Sequence, residues 1–297
     1  MNRKLVQGHI SAILTIIIWG TTFVSTKILL EDFQPIEILF FRFVLGLLAL
    51  YIAYPHFLVV KNKKEEITFL FAGLSGVCLY YLLENIALTY TLASNVGVII
   101  SIAPFFTAFL THFLVKTEER FNIRFFIGFV LAIAGICLIS FNGNTDMQIN
   151  PIGDLLAVLA AVVWAIYSIL SRKISSYGYN VVQTTRRIFI YGILFMIPAL
   201  FVFDFRLQLE RLVKVQNLIN ILFLGFGASA LCFVTWNIAV KILGAVKTSV
   251  YIYLVPVITI VTSIIVLKEK ITVWIVIGTI MTLLGLFISE FRKKDKL

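Results

Sequence analysis

Apolar residues run along this chain in ten long blocks separated by short polar stretches, and each block approaches the roughly 20 residues that a helix needs to cross a bilayer. The blocks lie near residues 9–30, 36–54, 67–89, 93–115, 123–141, 152–172, 181–203, 218–240, 246–267 and 271–290. This pattern predicts an all-α membrane protein of ten transmembrane helices. The first block is longer than the 7–15 apolar residues of a signal core. It runs into Lys27, Glu31 and Asp32 without a small-residue cleavage site, so it reads as a span.

The blocks fall into two sets of five with matching residues. An offset of 145 lays Gly8 on Gly153, Trp19 on Trp164, Lys27 on Arg172 and Arg42 on Arg187. An offset of 152 lays Asn85-Ile86-Ala87-Leu88 on Asn237-Ile238-Ala239-Val240, Ala93 on Ala245 and Pro104 on Pro256. In the last span of each half, an offset of 150 aligns Glu119 with Glu269, Arg120 with Lys270, Gly128 with Gly278 and Gly135 with Gly285. Residues 1–145 and 146–297 are therefore expected to be two repeats joined by a connector at 140–151. An odd number of spans per repeat inserts the second copy upside down, and inverted repeats of this kind build many secondary transporters.

Composition agrees with a chain solvated by lipid. Hydrophobic residues make up 60% and charged residues 13%, and mean hydropathy is +1.01, beyond what one soluble core hides. The net charge of +10 is distributed as membrane orientation requires and not as a nucleic-acid surface. With the N-terminus in the cytoplasm, 16 of the 25 Lys and Arg residues fall on the inner side and five in outer loops. Both termini are placed in the cytoplasm and the chain in the cell membrane. Cys78, Cys137 and Cys232 have no paired spacing, and His9, His56 and His112 have no second ligand nearby, so neither a metal nor a cofactor is expected.

The order Trp19-Gly20, Arg42, Pro104, Glu119, Gly128, Gly135, with its echo Pro256, Glu269, Gly278, Gly285, resembles the drug/metabolite transporter superfamily, in its ten-helix EamA-type group. The chain departs from it at Ala165, which follows Trp164 where the first half has Gly20, and in unequal Pro-to-Glu intervals. The resemblance implies two inverted five-helix repeats around a central cavity lined by helices 1, 3, 4, 6, 8 and 9, with helices 5 and 10 supporting or interfacial. The glycines of helices 5 and 10 recur every seven residues on one face. They suit close packing inside the monomer or a homodimer seam.

Intramembrane polar groups are costly and mark interior sites. Among the 15 carboxylates only Glu84 falls well inside a span. At about 1.5 Å rise per residue, Glu84 and Arg42 both lie roughly 9 Å deep, where they could pair. Glu84 reads as a proton-coupling carboxylate or a ligand for a substrate ammonium, with a static ion pair to Arg42 as the structural alternative. The position equivalent to Glu84 is Trp236, so Arg187 lacks an acid in its own half. It either leans to the interface or attracts an anionic group there. Asn85 and Asn237 are expected to bond to neighbouring helices or line the cavity. Trp19, Tyr80, Tyr81, Trp164, Tyr167, Trp236, Tyr251 and Tyr253 offer aromatic walls with polar tips, or core packing. Pro104 and Pro256 break helices 4 and 9 at matching depth and are candidate hinges.

The function expected is a secondary carrier, exporting small metabolites such as amino acids or amphipathic drugs by alternating access, with proton coupling. No nucleotide-binding loop is present in the sequence. An importer or exchanger of anionic, nucleotide-sugar-like solutes is the alternative within transport. A lipid-acting membrane enzyme lacks a catalytic constellation, and a non-transporting scaffold leaves the paired prolines unexplained.

Overall fold

A computed structural model describes residues 3–115, 123–141, 151–203 and 205–290. Glu119, Arg120, most of the 140–151 connector and the basic tail from Arg292 lie outside the described residues. The described chain is helical, with ten membrane-type helices: α1 (Arg3–Leu29), α2 (Pro35–Ala53), α3 (Lys63–Tyr90), α4 (Ala93–Ile100 and Ala103–Val115), α5 (Ile123–Phe141), α6 (Pro151–Ser175), α7 (Val181–Val202), α8 (Val215–Leu243), α9 (Ala245–Leu267) and α10 (Val273–Glu290). Eight are long and apolar enough to span a bilayer, and α5 and α10 carry the shorter apolar runs Phe126–Ile139 and Val273–Ile288.

Lipid as solvent inverts the usual amphipathic rule, and α1 shows how. Gly8, Ser11, Ala12, Thr15, Ile16, Trp19, Gly20 and Phe23 recur at three- and four-residue spacing and are buried. The opposite face, with Ile10, Ile13, Leu14 and Ile17, is exposed. Small and polar residues thus face the bundle and aliphatic ones face the acyl chains. The halves interleave, because α1 packs on α8 and α3 on α6.

Both α3 and α8 widen into π-helical turns, over Leu74–Leu79 and Phe223–Leu231. The second is rich in Gly, Ser and Ala and the first holds Ser75-Gly76, small residues that let a neighbour approach. A Cβ at Gly76 would sit 2.2 Å from the Tyr167 ring, so the glycine is what lets α6 lie against α3. Such turns leave carbonyls free for other donors.

The helix breaks fall where the prolines predict. In α4 the turn Ser101–Ile102 precedes Ala103-Pro104, with Ser101 and Ile102 bonding three residues back instead of four. In α9 a 3-10 stretch, Val250–Leu254, runs into Val255-Pro256. A proline has no N–H and its ring clashes with the carbonyl four residues earlier, so the preceding turn tightens or opens.

The glycine faces of α5 and α10 meet each other within one chain. A Cβ at Gly135 would lie 2.5 Å from the Gly278 carbonyl, and one at Gly285 would lie 2.4 Å from the Gly128 carbonyl. The seam that a homodimer could have used is therefore occupied internally. What α5 and α10 present outward is an aliphatic surface including Val130, Ile280 and Leu284.

The loops are fastened by charge. On the side where α1 ends, Lys27 Nζ donates to the Leu88 and Thr91 carbonyls at 2.5 and 2.9 Å. Beside it, the Glu269 carboxylate accepts from the Ala93 and Ser94 amides at 2.9 and 3.3 Å, capping the orphan N–H groups that start α4. Arg172, the counterpart of Lys27, caps the end of α8 through the Val240 and Lys241 carbonyls. Fully buried Glu37 accepts from Gln34 N, Arg206 N and Arg211 Nη1. Hydrogen bonds from Lys214 and Asn217 hold the nearby Asp32 carboxyl below its ordinary range.

Candidate functional site

An aromatic cluster fills the centre of the bundle. Trp19 from α1 lies 5.1 Å from Trp164 of α6 and 5.1 Å from Trp236 of α8, measured between ring centroids. Tyr80 and Tyr167 lie tilted against Trp164 at 4.7 and 4.9 Å. Phe233 touches Trp19, Trp164, Tyr81 and Tyr167. The edge-on and tilted geometries are those favoured by ring quadrupoles. Trp19 Nε1 donates to the Ala228 carbonyl at 2.9 Å, a carbonyl within the wide turn of α8.

A cavity opens beside this cluster. Its wall is Ile16, Trp19, Thr22 and Phe23 of α1, Tyr80, Tyr81 and Glu84 of α3, Ile100 of α4, Trp164 of α6, and Ile252 and Val255 of α9. These are five of the six helices implied by the resemblance; α8 stands behind through Phe233 and Trp236. Measured as room for the centre of a water, the cavity holds about 20 Å³, enough for a water or two. An amino acid does not fit until helices part.

Among the described residues Glu84 is the one charged residue on that wall. It is 1% exposed. The Tyr80 hydroxyl lies beside its carboxyl, while Oε1 has no hydrogen-bond partner among the described residues. Arg42 does not pair with it. The direct ion pair anticipated from depth is absent among the described contacts of 4 Å or less, because the guanidinium turns elsewhere. Its Nε donates to Ser229 Oγ at 3.1 Å, and its plane covers the Tyr81 ring at 4.2 Å. Nη1 and Nη2 have no partner among the described residues. Arg42 and Glu84 are thus both buried and close enough to interact through space, with no direct ion pair between them among the described residues.

The remaining expected residues divide. Asn85 Nδ2 donates to the Pro35 carbonyl at the start of α2. Asn237 is knitted into three helices: its Oδ1 accepts from Tyr167 Oη and Ser171 Oγ at 3.0 and 2.6 Å, and Nδ2 donates to Thr185 Oγ1 at 3.0 Å. It lies at a second, smaller hollow between α6, α7 and α8, with Thr184, Tyr179 and Lys241. Trp236 is fully buried behind the cavity wall. Tyr251 was expected on the wall; its neighbour Ile252 is there instead, and the Tyr251 hydroxyl meets His9 Nδ1 at 2.5 Å. A 3-10 turn advances 120° per residue, so it points adjacent side chains in quite different directions.

Arg187 corrects a second expectation. It has an acid after all, Glu66 from the other half, with Nε at 2.8 Å and Nη2 at 2.5 Å from Oε1, and Tyr191 Oη donates to the same oxygen. Glu66 belongs to the Lys63-Lys64-Glu65-Glu66 run, which read as loop charge but begins α3. Neighbouring Arg186 is 2% exposed. It folds onto the Tyr54 and His56 carbonyls. Sequence reasoning also missed Phe43, Phe189 and Phe233, because among 27 phenylalanines nothing local distinguishes those three.

Comparison with known proteins agrees with this architecture. Among curated relatives, an uncharacterized transporter of Archaeoglobus fulgidus is 29% identical, over 99% of each chain. A probable amino-acid metabolite efflux pump of Escherichia coli (strain K12) is 23% identical, over 98% of this chain and 96% of that one. A solved crystal structure shares the fold with a TM-score of 0.69 at 17% identity, covering 95% of this chain and 96% of that chain. The EamA-like transporter family matches residues 6–141 and again 151–291. Two matches that together span nearly the whole helical bundle make the chain a multi-pass membrane transporter belonging to the EamA-like transporter family.

Proposed function

We propose that this transporter exports small amine-bearing solutes, amino acids and amphipathic amines among them, in exchange for protons, by alternating access to the Glu84 cavity. The observation that carries this reading is the wall itself: one carboxylate, unpaired by any cation in contact, set among the faces of Trp19, Tyr80, Tyr81 and Trp164. A carboxylate buried among aromatic faces suits an ammonium, through Coulomb attraction and cation–π contact. The same carboxylate holds a proton when no amine is bound, since an isolated buried charge is expensive. Proton and amine therefore compete for one site. The name of the Escherichia coli relative, which refers to efflux of an amino-acid metabolite, supports the direction and the chemistry.

The cavity as it stands is too small for an amine solute, so transport requires the helices to part first toward one face and then toward the other. Pro104 and Pro256 mark the breaks in α4 and α9, and α9 contributes Ile252 and Val255 to the wall just before its proline. We assign these breaks the hinge role, with the two halves as inverted repeats and both termini in the cytoplasm. The anionic-solute alternative would be favoured if Arg187 and Arg172 lined an accessible vestibule. The first is paired with Glu66 and the second caps α8.

The test is purified protein in proteoliposomes with an imposed pH gradient and a radiolabelled primary amine. Amine is expected to accumulate on the acidic side, against its own gradient and beyond the level that neutral amine reaches in protein-free liposomes, and to acidify the opposite compartment faster than it does there. Amine movement that ignores the pH gradient refutes proton exchange.

A further inference from the structure

The cavity wall carries hydrogen-bond donors as well as the Glu84 acceptor. Trp19 Nε1 is committed to Ala228 O, and Thr22 Oγ1 to Trp19 O at 2.7 Å. Trp164 is different. It is 3% exposed, lines the same cavity as Glu84, and its Nε1–H has no partner among the described residues. A buried donor without a partner costs free energy that a ligand acceptor recovers. The equivalent tryptophan of the first half has found its carbonyl; Trp236 Nε1 is also without a partner among the described residues, but Trp236 does not line the cavity, so Trp164 is the indole placed to bond a solute there.

We infer that Trp164 is a specificity-determining residue that binds a neutral oxygen acceptor next to the substrate's ammonium, so that the preferred solutes are amines whose neighbouring carboxyl is masked as an amide or ester. This rests on the proposed amine site at Glu84 and narrows its substrate class. Charge decides between a masked and a free carboxyl. With Arg42 charged nearby, the site holds the same net charge whether Glu84 carries a proton or an ionised Glu84 carries an ammonium. A zwitterion would add a carboxylate beside Glu84. Among the described residues no cation lines the wall to receive it: Arg42, whose Nη1 and Nη2 have no partner there, lies against the Tyr81 ring and Ser229 and is not part of the wall. An indole N–H is a neutral donor and is matched by a neutral carbonyl. The walls of Trp19, Phe23 and Tyr80 then take an apolar or aromatic substituent.

Three probes differing only at that carbon test the inference: phenethylamine, phenylalaninamide and phenylalanine. Each is measured for binding to the purified protein at equal concentrations of the protonated amine. Phenylalaninamide is expected to bind about 5- to 30-fold more tightly than phenethylamine, the range for gaining one hydrogen bond to a buried donor, and phenylalanine more weakly than either. Trp164→Phe keeps an aromatic ring but removes the N–H, so it should bring the amide and phenethylamine to equal affinity, whatever it does to the affinity for phenethylamine itself. Equal binding of amide and amine by the wild type overturns the inference, as does phenylalanine binding as well as the amide, or a preference that survives Trp164→Phe. If Trp164→Phe fails to bind phenethylamine, the wild-type ratio alone decides. Failure of all three probes would instead sink the amine site at Glu84, and the inference with it.

Discussion

Glu84→Gln is expected to leave the protein folded in the membrane and to abolish proton-driven amine transport. Gln preserves the shape of the side chain and removes its charge, so the aromatic packing of Tyr80 and Trp164 is kept. What is lost is the ion contact to the solute. Removing one partner from a buried, hydrogen-bonded charge pair costs about 2–5 kcal/mol, a loss of roughly thirtyfold or more in affinity. The pH dependence should vanish with it. In the wild type, amine binding weakens as pH falls, because the proton occupies the carboxylate; in the variant, the residual binding should be flat across the same range. Wild-type pH dependence in Glu84→Gln would move the coupling group elsewhere.

Gly135→Leu should strike the scaffold instead of the site. Its Cβ alone would lie 2.5 Å from the Gly278 carbonyl and 2.5 Å from Thr282 Oγ1, and neither backbone nor a packed threonine gives way cheaply. Overpacking of a tight contact costs about 1–3 kcal/mol or more. Here α5 and α10 must separate along the whole seam, because Gly285 meets the Gly128 carbonyl and Ala132 in the same way. A lower melting temperature in detergent and loss of the monodisperse peak on size exclusion are expected. Normal stability in Gly135→Leu would mean that α5 and α10 do not meet on their glycine faces. Ser at the same position is a poorer test, since its small side chain asks for less space.

These two residues also show what the sequence makes legible. The seven-residue glycine spacing put a smooth face on α5 and on α10, but a face does not name its partner, and only the fold shows that the two faces close on each other. Glu84 stood out because a carboxylate in the middle of an apolar run has no inexpensive solvation in lipid. Arg42 stood out for the same reason, and depth alone made the two look like a pair. Depth is one coordinate. The rotation of each helix about its axis is the other, and it carries Arg42 onto Tyr81 and Ser229. Arg187 was misread because its acid comes from the other half of the chain, which a repeat alignment within one half does not reveal. The paired prolines predicted the breaks in α4 and α9, since loss of an N–H acts locally whatever surrounds it. The wide turns in α3 and α8 were not anticipated: runs such as Leu224-Gly225-Phe226-Gly227-Ala228 are equally compatible with an ordinary helix until a neighbour uses the freed carbonyl, as Trp19 does.

The claim on which the whole account turns is that the Glu84 cavity communicates in turn with both sides of the membrane. Thr22 lines that cavity, and among the described residues its side chain bonds only to its own helix. A variant with Thr22→Cys as its one cysteine, Cys78, Cys137 and Cys232 having been replaced, can be challenged with a membrane-impermeant thiol reagent from each face of sealed vesicles. Labelling from both faces, slowed by a bound amine and by Glu84→Gln, is the predicted result. Labelling from one face only, or from neither, would contradict alternating access through this cavity.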